Sequence, residues 1–97
     1  MPMPRYNAKR DENEIDIVNT LKGFGADVFR IHEPCDLLVG YGGITHTVEV
    51  KTRKGKLTKG QQLFSDHWNG APLVVLRSTI DAEEFMKRLR KQQLEAA

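Results

Sequence analysis

Apolar residues recur at helical spacing in three stretches of the chain, 11–24, 58–68 and 81–94. Glycines follow the first two stretches, and Thr58 is a suitable N-cap for the second. The pattern therefore predicts three helices. The residues expected to face the core from the last helix are Phe85, Met86 and Leu89.

Four other stretches have the patterns of β-strands. Apolar and polar residues alternate in 26–32 and 44–51, whereas 35–40 and 71–78 are short, mostly apolar runs. The pair Gly42-Gly43 predicts a tight turn, which makes the second and third strands antiparallel. Because the fourth strand follows a helix, we expect it to join the sheet in parallel through a crossover.

The order of these elements predicts an α/β fold with an α-β-β-β-α-β core and a C-terminal helix. We expect a mixed sheet of about four strands flanked by helices. A chain of 97 residues predicts one domain, 1–97. The first ten residues contain two prolines and three cations, so we expect 1–10 to form a flexible arm.

Composition narrows the class of protein. The chain is 39% hydrophobic and 29% charged, as is typical of soluble globular domains. No apolar run approaches the roughly 18 residues of a membrane span, and the N-terminus lacks an apolar signal region. Cys35 is the only cysteine, which favours a reducing compartment. We therefore expect a cytoplasmic, intracellular protein with no membrane partner.

Charge becomes informative only through its distribution, because the net charge is just +2. Cations concentrate in the loop that follows the third predicted strand, at Arg53, Lys54, Lys56 and Lys59. A basic loop is usually a solvated surface, but this one directly follows the strand that carries the acid Glu49 and the lysine Lys51. We therefore predict that its cations contact nucleic-acid phosphates.

The third strand places Glu49 and Lys51 on one face, since strand residues two apart point the same way. Counting outward from the glycine turn places Asp36 opposite the neighbourhood of Glu49. Two adjacent carboxylates repel each other and gain from a shared divalent cation, and oxygen ligands suit Mg²⁺ or Mn²⁺. Two alternatives remain. Glu49 and Lys51 can form an ordinary surface ion pair worth about 0–1 kcal/mol, and the Asp36 side chain can simply hydrogen-bond the backbone of its own turn.

Glu14 lies inside the apolar stripe of the first helix, among Ile17, Val18 and Leu21. A carboxylate on a core-facing stripe is costly unless a cation compensates it. At this point Glu14 either reaches water at the helix start, pairs with an arginine, or belongs to the same site as the other two acids.

Other residues give weaker signals. The three histidines and Cys35 have spacings that match no compact zinc module, and we expect the thiol to be buried and inert. His46, with Thr45 or Thr47, is a candidate for a DNA-facing surface. We expect three apolar residues of the second helix to lie in the core or on a dimer surface, namely Leu63, Phe64 and Trp68.

Glu14 on a first helix, followed by "CDLLVG", "VEVKT" and "LTKGQ", resembles the PD-(D/E)xK nuclease superfamily. The spacing is most similar to the virus-type replication-repair nuclease (VRR-NUC) domain, which is related to Holliday-junction resolvases. An acid-x-lysine triplet alone is common, but the combination of these segments is fairly specific and covers Glu14 to about Arg77. In one departure, Cys35 separates Pro34 from Asp36, where the family's aspartate commonly follows proline.

The resemblance implies a restriction-endonuclease-like fold and a role for each matching residue. The implied ligands of Mg²⁺ or Mn²⁺ are the carboxylates of Glu14, directly or through water, Asp36 and Glu49, and the main-chain carbonyl of Val50. Asp36 and Glu49 would also be catalytic, together with Lys51 as the catalytic lysine. Gln61 resembles the family's helix glutamine, and Gln62 is the alternative if the register is shifted.

The function implied is a metal-dependent DNA endonuclease, selective for branched DNA such as four-way junctions, acting as a homodimer. A phage-encoded enzyme acting inside a host cell fits the same resemblance. Two other classes remain open at this stage. One is a non-catalytic DNA-binding module that retains the fold, and the other is a protein-interaction domain.

Overall fold

The computed structural model describes residues 13–96. Its elements in chain order are α1 (Glu14–Gly23), β1 (Asp27–Arg30), β2 (Leu37–Tyr41), β3 (Ile44–Val50), α2 (Lys59–His67), β4 (Val74–Leu76) and α3 (Thr79–Ala96). This order confirms the predicted α/β fold with its C-terminal helix. The expected flexible arm, 1–10, lies outside the described residues. None of the described helices is long and apolar enough to cross a membrane.

The four strands form one mixed sheet in the order β1-β2-β3-β4. β2 is antiparallel to both β1 and β3, and β4 lies parallel to β3, as predicted for a strand reached by a crossover. Gly42 and Gly43 form the β2–β3 turn with φ of +59° and +83°, a backbone region that glycine enters without strain. This turn pairs Tyr41 with Ile44 and so fixes the register along the rest of the hairpin.

Helices α1 and α3 cover one face of the sheet and enclose the core. Ile17 and Leu21 of α1 and Met86 of α3 are fully buried, as are Val39 and Val48 of the sheet. Phe85 and Leu89 are buried as well, so the predicted inward face of α3 is confirmed. The hydrophobic face of each helix and the even-numbered face of β3 therefore meet in one core.

The opposite face of the sheet is only partly covered. Helix α2 has no buried residue, and Leu63 and Trp68 are 55% and 47% exposed. The expectation that these side chains contribute to the core is therefore wrong, while a dimer surface remains a prediction. The fourth strand is also shorter than predicted, because β4 pairs with only the last three residues of β3.

Candidate active site

Two carboxylates meet where β2 begins and β3 ends. Leu37 pairs with Val48, so Asp36, which precedes β2, lies beside Glu49. This is the neighbourhood predicted by counting outward from the glycine turn. The antiparallel register thus brings together two acids that are 13 positions apart in the sequence.

Asp36 is fixed by hydrogen bonds to its side chain and its main chain. The N–H of Val50 donates to Oδ2 of Asp36 over 2.8 Å, and the N–H of Ile31 donates to the Asp36 carbonyl over 2.7 Å. Because the N–H and C=O of one strand residue point to the same side, the Val50 carbonyl also lies on the Asp36 side of β3. The backbone therefore presents the Val50 oxygen toward the acid pair.

Glu49 is 3% exposed and has a different environment at each carboxylate oxygen. Its Oε2 accepts a 2.7 Å hydrogen bond from Nε2 of Gln61 and lies 3.6 Å from Nζ of Lys51. Its Oε1 is buried, and no donor in 13–96 meets ordinary hydrogen-bond geometry with it, although the side chain and main chain of Asp36 lie close enough to influence the Glu49 pKa. Burial, followed by the repulsive charge of Asp36, raises the pKa of Glu49 to about 7, and the Lys51 ammonium only partly opposes this shift.

Gln61 reaches Glu49 because the start of α2 orients its side chain. It is the third residue of the helix and forms a capping box with Thr58. The Thr58 N–H donates to Oε1 of Gln61 over 2.9 Å, while the Gln61 N–H donates to Oγ1 of Thr58 over 3.2 Å. The amide nitrogen of Gln61 is thereby directed at Glu49. Gln62 instead donates to Asp66 over 2.8 Å, so the register favours Gln61 as the site residue.

Glu14 is buried at 1% exposure and lies against the helix-covered face of the sheet. Nε of Arg30 donates to its Oε2 over 2.7 Å. Arg30 pairs with Leu37, which pairs with Val48, so strand alternation places Arg30 and Glu49 on opposite faces. Within 13–96, no three or more His, Cys, Asp or Glu side chains are grouped so that they could hold a metal ion. The expected convergence of three acids is thus not found.

The pair of Asp36 and Glu49 nevertheless fits a magnesium-type ion. A nearby divalent cation would supply a partner for the buried Oε1 of Glu49 and would relieve the repulsion from Asp36 that helps to raise the Glu49 pKa. Mg²⁺ is commonly held by one or two protein carboxylates, with waters and substrate phosphates as the remaining ligands. The residues that fit this role are Asp36, Glu49 and the carbonyl of Val50.

The basic loop begins immediately after this cluster. Thr52 and Gly55 close a turn through a 3.1 Å hydrogen bond from the Gly55 N–H to the Thr52 carbonyl. The four cations predicted to contact phosphates are all exposed, namely Arg53, Lys54, Lys56 and Lys59. The arrangement thus presents positive charge next to the buried Glu49 and the half-buried Asp36, and its contact with DNA stays a prediction.

Two other expectations have different outcomes. His46 is buried on the core face, where its ring meets that of Phe85 edge-on at 5.4 Å, and burial lowers its pKa. Its expected place on a DNA-facing surface is therefore wrong.

Cys35 is buried, and burial raises the pKa of its thiol, consistent with the expected lack of reactivity. Sequence reasoning did not single out Arg77, whose guanidinium donates to the carbonyls of Thr52 and Gly55 in the basic loop, because nothing local to β4 indicates that contact.

Comparison of the chain with protein-family models, with curated proteins and with solved structures found no significant match.

Proposed function

We propose that the protein is a metal-dependent DNA endonuclease of the PD-(D/E)xK type, similar to the VRR-NUC domain. The observation that carries this proposal is the cluster of Asp36, Glu49, Lys51 and Gln61, which lies where the central strand β2 begins and its neighbour β3 ends. A buried acid with a raised pKa, an adjacent acid and a lysine is an arrangement suited to hydrolysis more than to folding stability. The basic loop beside the cluster supplies charge for a polyanionic substrate.

Each residue has a distinct role in the proposed reaction. Asp36, Glu49 and the Val50 carbonyl would hold Mg²⁺ or Mn²⁺, which when bound supplies an acidified water and neutralises phosphate charge. Lys51 has its ammonium 3.6 Å from Glu49 and would donate hydrogen bonds to a phosphate oxygen or orient the attacking water. Gln61 would hold Glu49 in place through its 2.7 Å hydrogen bond.

The proposed substrate is branched DNA, such as a four-way junction, cut by a homodimer. This part of the proposal rests on the resemblance and on size, since one small domain offers little surface with which to bind a long DNA site. A two-fold dimer doubles that surface and presents two active sites. Leu63 of α2 and Trp68, directly after it, are exposed and available for such an interface.

One observation favours a second candidate, a non-catalytic DNA-binding module. The ion pairs Glu14–Arg30 and Glu49–Lys51 compensate two of the three buried or half-buried acids without a metal. In such a module the acids would serve the fold, and the exposed cations of the loop would bind phosphates. Binding that persists in chelator with no cutting in any divalent metal is the result expected of this candidate.

The proposal is tested by incubating purified protein with a labelled four-way junction, a flap and a linear duplex. Each substrate is used in Mg²⁺, in Mn²⁺ and in EDTA. The nuclease proposal expects cutting in the metals alone, fastest on the junction, and loss of cutting in Glu49→Gln but not in Glu83→Gln, an exposed acid on α3. Equal or faster cutting of linear duplex contradicts the branched-DNA assignment. Sedimentation of the same sample tests the dimer.

A further inference from the structure

Arg77 directly follows β4, and its main chain is held by the starts of two helices. Its N–H donates to Oδ2 of Asp81, in the first turn of α3, over 2.9 Å. Its carbonyl accepts a 3.1 Å hydrogen bond from Nδ2 of Asn13, the residue that precedes α1. The position of the Arg77 backbone is therefore fixed relative to the folded core.

The side chain of Arg77 reaches from this fixed point into the basic loop. Its Nη1 donates to the carbonyls of Gly55 and Thr52 over 2.6 and 2.8 Å, with a longer contact of 3.5 Å to Arg53. Hydrogen bonds from a charged donor are stronger than neutral ones. One guanidinium thus contacts three of the four carbonyls of the Thr52–Gly55 turn and binds both of its ends.

The turn is also packed closely against Lys51. A Cβ added at Gly55 would lie 3.2 Å from Oγ1 of Thr52 and 3.5 Å from Cβ of Lys51. With its carbonyls turned inward to Arg77, the turn exposes the side chains of Arg53 and Lys54 at its tip. The direction in which these cations point is therefore set by the Arg77 guanidinium.

We propose that Arg77 is a positioning residue that holds the Thr52–Gly55 turn so that its cations face the DNA phosphates beside the acid pair. This inference rests on the proposed function for its DNA part. A loop ordered before binding loses less conformational entropy when it contacts phosphates. Without the guanidinium, the carbonyls of Thr52 and Gly55 lose a charged donor, so we expect the turn to sample more directions. Arg77 acts through the loop and does not itself touch the substrate.

The first test is a double-mutant cycle on DNA affinity, measured by fluorescence anisotropy in EDTA so that no cutting occurs. In the parent chain, Lys54→Gln is expected to weaken binding about threefold to tenfold and to reduce the salt slope by about one. In an Arg77→Gln background the same substitution is expected to change affinity by less than about twofold. Additive effects would show that Arg77 and the loop act independently, which overturns the inference.

Arg88→Gln is the matched control, since Arg88 is exposed on α3 with its guanidinium 5.7 Å from the Phe85 ring. Lys54→Gln should keep its full effect in that background. Arg77→Lys is the second variant, used if Arg77→Gln lowers the folded fraction. It retains the charge but not the planar donor group, so it should raise KM for DNA more than it lowers kcat. An unchanged KM in folded Arg77→Lys would overturn the inference.

The second test needs no DNA and separates the inference from the proposed function. Trypsin cleavage after Arg53 or Lys54 should be about tenfold faster in Arg77→Gln than in the parent, with no change in Arg88→Gln. Equal cleavage rates in Arg77→Gln and the parent would overturn the loop restraint, whatever the DNA result. Faster cleavage in a chain with no DNA affinity would overturn the proposed function and leave the restraint standing.

Discussion

The side-chain amide of Gln61 donates a 2.7 Å hydrogen bond to Oε2 of Glu49, joining an exposed helix to a buried carboxylate. The same side chain closes the capping box with Thr58. Because α2 buries none of its residues, this contact is a principal link between the helix and the sheet. The stability of α2 and the geometry of the acid pair are therefore expected to depend on one residue.

Gln61→Ala is expected to loosen α2 without unfolding the sheet. Loss of a hydrogen bond to a charged group costs roughly 1.5–3 kcal/mol, which predicts amide exchange about tenfold to a hundredfold faster within α2. Hydrogen exchange followed by mass spectrometry measures this effect. Gln62→Ala is the control, because the Gln62 side chain donates within the helix to Asp66 and does not reach the acid pair. Equal exchange in the two variants would contradict the prediction.

The raised pKa of Glu49 predicts that the free energy of unfolding depends on pH in a specific way. Its folded pKa of about 7 exceeds its ordinary 4.5, so the folded protein binds the proton more tightly than the unfolded chain. The resulting stability is fully present below about pH 4.5 and is lost as pH rises through about 7, a loss on the order of 3 kcal/mol. Urea unfolding in EDTA should show this loss in the parent but not in Glu49→Gln.

The exposed Glu83→Gln is the control for that comparison and should retain the parent's pH dependence. Parallel stability curves for the parent and Glu49→Gln across this pH window would mean that Glu49 titrates as an ordinary carboxyl.

Metal binding should release a proton from Glu49. A carboxyl with a pKa of about 7 is half protonated near pH 7 and must ionise to bind a cation. Calorimetric titration with Mn²⁺ in buffers of different ionisation enthalpy should show release of about half a proton at pH 7 and almost none at pH 9. Asp36→Asn should weaken the binding and reduce the release. Binding without proton release at pH 7 would place the ion elsewhere.

The sequence was sufficient to predict the acid pair because two local rules determine it. Gly42-Gly43 indicates a tight turn, and strand pairing then fixes what lies opposite Glu49. Side chains that depend on tertiary packing were harder to predict. The alternation of 26–32 identifies Arg30 only as a polar strand residue, and nothing local shows that it reaches Glu14 across the core face.

The fold was predicted more completely than the burial of its helices. The element order and the parallel fourth strand follow from apolar spacing and connection rules. The spacing of Leu63 and Trp68 also fits a core-facing helix, but α2 buries none of its residues, and these two side chains are 55% and 47% exposed. Such exposure depends on the relative placement of elements, which periodicity does not encode.

The ion pair between Glu14 and Arg30 predicts that removing the guanidinium lowers the free energy of unfolding. Arg30→Gln leaves a buried carboxylate without that partner, and we expect a loss of about 2 kcal/mol. This is below the roughly 3–5 kcal/mol of fully buried pairs, because the Arg30 side chain is 42% exposed to water. Adding Glu14→Gln should recover at least half of the loss in urea unfolding.

Arg90→Gln, which removes only a guanidinium 5.3 Å from the Phe24 ring, is the control and should cost less than about 1 kcal/mol. A double variant no more stable than Arg30→Gln would show that the pair does not explain the burial of Glu14. A gain in Mn²⁺ affinity in Arg30→Gln would instead indicate that Glu14 can serve as a metal ligand.

The most direct test of the proposed activity is the single-turnover rate of DNA cleavage as Mg²⁺ is titrated, compared between the parent, Glu49→Gln and Lys51→Met. We predict a rate that rises with Mg²⁺ in the parent and falls at least about a hundredfold in both variants, with DNA binding retained. Cleavage by either variant at the parent rate, or by the parent in EDTA, would contradict it.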